Sequence, residues 1–284
     1  MTSTKHILIT GASSGIGAAC ALHLDRLGYR VLAGVRQEAD GAALKERSSD
    51  RLTPVNIDVT KSDSVANARE AIAEITGDGG LFGLVNNAGI AVAGPLEALP
   101  LDELRRQFEV NVFGMIAVVQ AFLPSLIRGG RIINMSSASG RVAFPFVGPY
   151  AGSKFALEAL SDSLRLELRP SGIFVSVVEP GMVTTPIWER SMETTRDMLA
   201  DLPGEIQDKY RSMADAVERA AKKSMRYAIS PERVAGVVAM VLRARRPRAR
   251  YIVGIDSMIA SRVVRFLPDR LRDWVLTRAI GLPR

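Results

Sequence analysis

Tyr150 and Lys154 stand four residues apart in "YAGSK", a spacing that puts both on one face of a helix. A free phenol titrates near pH ~10 and is a poor base at neutral pH, but an ammonium one turn away favours the phenolate and lowers that value. The pair is therefore expected to trade a proton with an alcohol or carbonyl oxygen. An amphipathic surface pair is the plainer reading of the same spacing. Neither histidine competes for the role, since His6 opens a strand-like run and His23 falls on a helix-like one. No His/Cys/Asp/Glu cluster has metal-ligand spacing, so no metal is expected.

The stretch "ILITGASSGIGAAC", Ile7 to Cys20, leaves a strand-like run and opens a helix through Gly11, Gly15 and Gly17. Glycines at such a junction let backbone N–H groups and a helix N-terminus approach a pyrophosphate that a side chain would block. The spacing is G-x-x-x-G-x-G and not the commoner G-x-G-x-x-G, so a plain glycine turn is the competing reading.

The elements that must position these residues can be followed along the chain. The runs "KHILIT", "RVLAGV", "RLTPVNI", "LFGLVNN", "RIINMSS", "IFVSVVEP" and "RYIVGI" alternate with amphipathic segments, the pattern of a parallel, doubly wound sheet. They are near-continuously apolar, as strands covered on both faces must be. The fold class expected is α/β: a Rossmann-type, mostly parallel seven-stranded sheet with helices on both faces. Helices are predicted over "GAACALHLDRLG", "SDSVANAREAIAEITG" and "LDELRRQFEVNVFGMIAVVQAFLPSLI", with Gly28 and Gly77 at helix ends. One domain, 1–284, suits this length.

Two segments stand outside the alternation. The polar insertion from Pro186 to Arg226 would lie at the carboxyl ends of the strands and reads as a substrate lid. A tail, about 256–284, reads as two short helices, the first capped by Ser257, the second opened by Pro268 and stopped by Gly281.

Composition excludes several classes. With 47% hydrophobic and 24% charged residues there is no disorder signature. Cys20 is the one cysteine, in apolar "AACALHL", and reads as a small buried core residue that can form no internal disulfide. The N-terminus runs into a strand without the succession of a signal peptide, and runs such as "GMIAVV" and "VAGVVAMVL" fall short of the ~20 residues that span a bilayer. A cytoplasmic location is the expectation. The net charge of +7 is uneven: from Arg211 onward there are 17 Lys/Arg against 6 Asp/Glu, and before it 20 against 24. Nucleic-acid binding would want that charge on a reading element with stacking aromatics, and none stands there.

Further motifs follow in order: Asp58 in "NIDV", Asn86 to Gly89 as "NNAG", Asn111 in "FEVNVFG", Ser137, Y-x-x-x-K and "PGMVT". Together with the glycine turn they resemble the short-chain dehydrogenase/reductase family over nearly the whole chain. "SDRLTPVNIDVTKSDSVANA" and "LSDSLRLELRPSGIFVSVVEPG" are most similar to its branch of retinol, hydroxysteroid and hydroxybutyrate dehydrogenases. The resemblance implies an enzyme acting on CH–OH with NAD(P). It makes Tyr150 the acid/base, Lys154 its tuner and a ribose ligand, and Ser137 the hydroxyl that holds the substrate oxygen, with Ser136 as rival. Asn111 would hold a water in the proton path, against the alternative of a helix-interior Asn satisfying its own backbone.

For the dinucleotide the resemblance implies Gly11, Ser13, Ser14, Gly15, Ile16 and Gly17 at the phosphates. It adds Asp58, Val59, Asn87, Ala88 and Gly89 along the next two strand ends, and Pro180, Gly181, Val183 and Thr184 at the nicotinamide. In the family an acid at the end of strand two selects NAD and a nearby Arg selects NADP. Val35 occupies the acid's place and Arg36 follows it, so NADP(H) is expected over NAD(H). Ser13 and Ser14 depart from the second basic residue that many NADP users carry, and Arg36 could instead pair with Glu38 or Asp40.

Phe144, Phe146, Val147, Ile187, Trp188 and Met192 predict an apolar wall for a steroid-, retinoid- or lipid-like alcohol or ketone, although core packing would use the same side chains. In the tail, Ile259, Val263, Phe266, Leu267, Leu271, Trp274, Val275 and Ile280 recur at helical spacing opposite Arg262, Arg265, Arg270, Arg272 and Arg278. That face is expected to pack on its own domain or on a second copy in a homo-oligomer. Peripheral contact with an anionic membrane is the alternative. A non-catalytic dinucleotide-binding regulator and a lipid carrier are rival functions, against which intact Ser137, Tyr150 and Lys154 argue.

Overall fold

A computed structural model describes residues 5–282. The first half alternates β1 (His6–Ile9), α1 (Gly15–Arg26), β2 (Arg30–Val35), α2 (Glu38–Lys45), β3 (Leu52–Asn56), α3 (Ser62–Thr76) and β4 (Leu81–Asn86). Then come α4 (Leu101–Phe108), α5 (Gly114–Phe122), β5 (Leu126–Met135), α6 (Gly148–Glu167) and β6 (Phe174–Pro180). The insertion folds as α7 (Pro186–Ala200) and α8 (Gly204–Met225), followed by α9 (Pro231–Arg243), β7 (Arg250–Val253), α10 (Ile255–Arg262) and α11 (Asp269–Ile280).

The seven strands form one sheet in the order β3-β2-β1-β4-β5-β6-β7, every pairing parallel. Alternation along β1 shows why the strands are apolar throughout. Ile7 and Ile9 enter the layer under α1 and α9, whereas Leu8 enters the opposite layer with Ile72, Val118, Phe122 and Leu157. Each such side chain removed from water contributes about 1.5–3 kcal/mol, so neither face tolerates a polar strand residue cheaply. Chain order reverses between β1 and β4, which opens a crevice at their carboxyl ends.

Four expectations are corrected. The stretch Leu101–Ser125 is long and apolar enough by composition to cross a membrane, with a mean hydropathy of 1.4, contrary to the short-run reading. Val112, Met115, Val118, Val119 and Phe122 are buried in it, although its apolar window as a whole is 39% buried. That helix is not regular, because Glu109–Phe113 forms a π-helical turn between α4 and α5. In the tail, Gly254 and not Ser257 is the N-cap of α10; the Ser257 hydroxyl sits inside the helix and donates to the Glu179 carbonyl at 2.8 Å. Pro268 is the N-cap of α11, one place before the helix opens, and Gly281 ends it in the left-handed conformation as expected.

Candidate active site

The glycine turn makes a cradle at the crevice. Gly11 and Gly15 take φ of 65° and 54°, and a Cβ on Gly11 would lie 2.7 Å from Ala88 Cα. A Cβ on Gly17 would run into the Gly11 carbonyl oxygen. Asn87 braces this turn from the end of β4, its Nδ2 donating to the Thr10 and Gly11 carbonyls at 3.1 and 3.0 Å. Thr10 Oγ1 in return accepts the backbone N–H groups of Asn87 and Ala88, both at 3.1 Å. Ser14 is the N-cap of α1 without spending its side chain on the helix, and the first turn carries no acid. The N-terminal donors and positive dipole end therefore face the cradle, which fits a pyrophosphate. Ser13 is exposed and Ile16 partly buried in the same turn.

Beyond β2 and β3, Arg36, Asn56, Asp58 and Lys61 line a cavity of about 850 Å³. Strand β3 ends at Asn56, so Asp58 lies two residues past it and not at its close. Asp58 Oδ1 accepts the Thr60 N–H and hydroxyl at 3.0 and 2.7 Å. Burial would raise its carboxyl, but those bonds and the charges of Arg36 and Lys61 outweigh it and hold the group below the ordinary carboxylate range. Neighbouring Val59 is buried. Arg36 is exposed, and among the described residues no ion pair joins it to Glu38 or Asp40.

Helix α6 carries Tyr150 and Lys154 to the same crevice, both buried. The lysine Nζ lies 5.6 Å from the Tyr150 ring centre and donates to the Met135 carbonyl at 2.8 Å. Ser137 hydrogen-bonds to Tyr150 and caps a short turn through the Ser139 N–H at 3.1 Å. Its rival Ser136 points the other way, toward Glu158, since adjacent residues of an extended chain face opposite sides. Asn111 lies in the π-helical turn, and its side chain bonds across the fold: Oδ1 accepts the Ile90 N–H at 2.9 Å, while Nδ2 donates to the Ile90 carbonyl and Ser153 Oγ at 3.0 and 3.1 Å. It therefore does not satisfy its own backbone. Gly89 adjoins it, a built Cβ there lying 3.3 Å from Asn111 Oδ1.

The lysine was expected to pull the phenol down, and burial reverses the sign. Loss of water pushes Tyr150 up to about 12, against the Ser137 hydrogen bond, and pushes Lys154 down to about 8, against the charge of Glu158. At neutral pH the phenol keeps its proton beside a mostly charged lysine, the state that can give a proton to a carbonyl oxygen. Carbonyl reduction is thus expected to hold through neutral pH and fall as pH rises through about 8, where the ammonium is lost. Alcohol oxidation, which starts from the phenolate, is expected to climb with pH. Rate–pH profiles in both directions check this.

On the remaining side, Pro180 ends β6, the Gly181 N–H donates to Val253 O at 2.8 Å, and Val183 bridges to Ile229. Exposed Thr184 donates its N–H to Ile229 O at 3.1 Å. The insertion closes over this region, with the Trp188 ring packed edge-on to Tyr150 at 5.5 Å between centres. Phe146 meets Tyr210 of α8 at 6.0 Å, and Tyr210 and Lys209 bond Glu97. Sequence reading placed Trp188 in the wall but not against the phenol, and it missed Glu158 beneath the lysine, although the i, i+4 spacing carried that signal.

Comparison with known proteins agrees with this geometry. The short chain dehydrogenase family matches residues 5–196. Mouse retinol dehydrogenase 5 is 39% identical over 99% of this chain and 90% of its own. Bovine 17-beta-hydroxysteroid dehydrogenase type 6 is 38% identical over 98% and 90%. A solved short-chain dehydrogenase from Streptomyces avermitilis superposes with a TM-score of 0.73 at 27% identity, covering 92% of this chain and 91% of that one. Sequence and fold thus agree along nearly the entire length: the chain belongs to the short-chain dehydrogenase/reductase family, in its retinol and hydroxysteroid branch, as an oxidoreductase acting on CH–OH groups with NAD(P).

Proposed function

We propose that the chain interconverts a hydrophobic secondary alcohol and its ketone with NADP(H). The observation that carries this reading is the Tyr150 phenol, hydrogen-bonded to Ser137, backed by Lys154 and roofed by Trp188 in a cleft walled by the apolar insertion. The cofactor, when bound, supplies or accepts the hydride. Ser137 holds the substrate oxygen, Tyr150 gives or takes its proton, Lys154 steadies the phenolate charge and holds the ribose, and Asn111 fixes the water path. Exposed Arg36 and nearby Lys61 offer two positive charges to an adenosine phosphate, which supports NADP. The substrates in the relatives' names, retinol and a hydroxysteroid, support an apolar alcohol. A spectrophotometric screen of NADPH and NADP against apolar ketones and alcohols is the test. Turnover of apolar members alone supports the reading; NADPH binding without turnover of any would favour a regulator.

The tail favours a place for this chemistry. Ala260, Val264 and Leu276 pack on Val142 and Phe144 of the substrate wall, yet Ile259, Val263, Phe266, Leu271 and Trp274 stay exposed beside exposed Arg262, Arg265, Arg270 and Arg278. A cytoplasmic enzyme resting on anionic membrane through this surface fits those residues. Sedimentation with vesicles should show binding that needs anionic lipid, falls with salt, and weakens about a hundredfold with Phe266→Ser and Trp274→Ser together. Equal binding to neutral vesicles would refute it. Exposed Leu101, Phe113, Phe155 and Leu166 on the adjoining α4, π-helical turn and α6 favour a homo-oligomer, for which light scattering should give a multiple of 30.7 kDa.

A further inference from the structure

The phenol that is to exchange a proton with substrate is covered. Tyr150 and Ser137 are each 7% exposed. Over the phenol lies an indole: Trp188, in the first turn of α7, packs edge-on to the Tyr150 ring with planes at 71°. Trp188 is itself only partly buried, so part of the indole stays in reach of water. A substrate oxygen that is to meet both Ser137 and Tyr150 must enter the space this indole closes.

The helix that carries the indole is held from its far end. Thr195 Oγ1 donates to the Ala93 carbonyl at 3.0 Å, and Met198 packs so closely on Gly94 that a built Cβ there would lie 2.5 Å from its Cε. Gly94 in turn donates its N–H to the Phe146 carbonyl at 2.8 Å. Phe146 is held at φ 66°, the one positive φ outside glycine among the described residues, a conformation that persists where neighbours over-determine it. The first turn of α7 differs: among the described residues no hydrogen bond holds the Trp188 side chain. Swinging the indole off the phenol therefore breaks apolar contact alone, which an apolar substrate can replace.

We propose that Trp188 is the specificity-determining residue of this site: it shuts the phenol until a ketone or alcohol arrives with enough apolar surface to take the place of the Tyr150 ring against the indole. The substrates it admits carry the reacting carbon on or beside a bulky apolar ring system, and small open-chain ketones are rejected. What is lost when the two rings part scales with apolar area, and so does what the substrate restores. A ligand opens such a gate only by its differential affinity for the open state. The inference rests on the enzymatic reading, since it names what that site admits.

The full chain is assayed with NADPH and with NADH on decalone, a bicyclic apolar ketone, and on butanone. The unmodified chain should favour decalone in kcat/KM. Trp188→Ala should cut that preference about ten- to a hundredfold, from the burial of one large apolar side chain, by raising KM for decalone while sparing butanone. Trp188→Phe keeps a smaller ring and should lie between; it decides the matter should Trp188→Ala fail to fold. Binding is read without turnover. The chain has two tryptophans, so in Trp274→Phe the indole emission comes from Trp188. Decalone added with the oxidised dinucleotide, a pair that cannot react, should shift the emission maximum, and butanone should leave it in place. An indole that merely packs the lid would, when replaced, impair both ketones alike. No preference for decalone in an active unmodified chain, equal loss for both ketones in the variants, or an emission maximum unmoved by decalone overturns the proposal. An emission shift confined to decalone in a chain that reduces neither ketone upholds the gate and refutes the enzymatic reading instead.

Discussion

Tyr150→Phe should fold normally and bind the dinucleotide as before, yet turn over at least 10²- to 10⁴-fold more slowly, the range lost when a positioned general acid/base is removed. The phenylalanine ring keeps the contact with Trp188, which lies 5.5 Å away between ring centres, so packing changes little. What disappears is the oxygen that Ser137 bonds and that carries the proton. Steady-state rates alongside a cofactor titration and a melting curve separate these effects. Comparable turnover by the variant would remove Tyr150 from the chemistry.

Arg36→Ala should weaken NADPH about ten- to a hundredfold and leave NADH nearly unchanged, because one charge-assisted contact is worth about 1.5–3 kcal/mol. The residue is exposed and pairs with neither Glu38 nor Asp40 among the described residues, so little else is lost. Lys61 beside Asp58 would retain part of the phosphate affinity. Calorimetry at one ionic strength reads both cofactors. Equal NADPH and NADH affinities in the unmodified chain would refute the preference.

The glycine turn, "NNAG", Ser137 and the Tyr150–Lys154 pair were legible because their chemistry depends on residue type at fixed spacing, and the strands because a sheet covered on both faces needs unbroken apolar runs. What the sequence hid depends on tertiary contact. The sign of the Tyr150 shift is set by burial under α7 and the neighbouring loops, which no i, i+4 rule reports. Ser257 looked like a cap because serines at helix starts usually are, but the carbonyl of Glu179 stands within reach and Gly254 supplies the turn. The π-helical turn that aims Asn111 at Ile90 leaves no mark in hydrophobic periodicity. Val263, Phe266 and Trp274 read as a face to be buried, whereas the apolar residues buried among the described ones of the tail are Ala260, Val264 and Leu276.

Transfer of a labelled hydride tests the central claim most directly. With NADPH carrying deuterium at the transferable position and an apolar ketone, mass spectrometry of the alcohol should find one deuterium on the carbinol carbon, with the hydroxyl proton drawn from solvent through Tyr150. An alcohol without that label, or no alcohol from any apolar ketone while NADPH stays bound, would contradict the account.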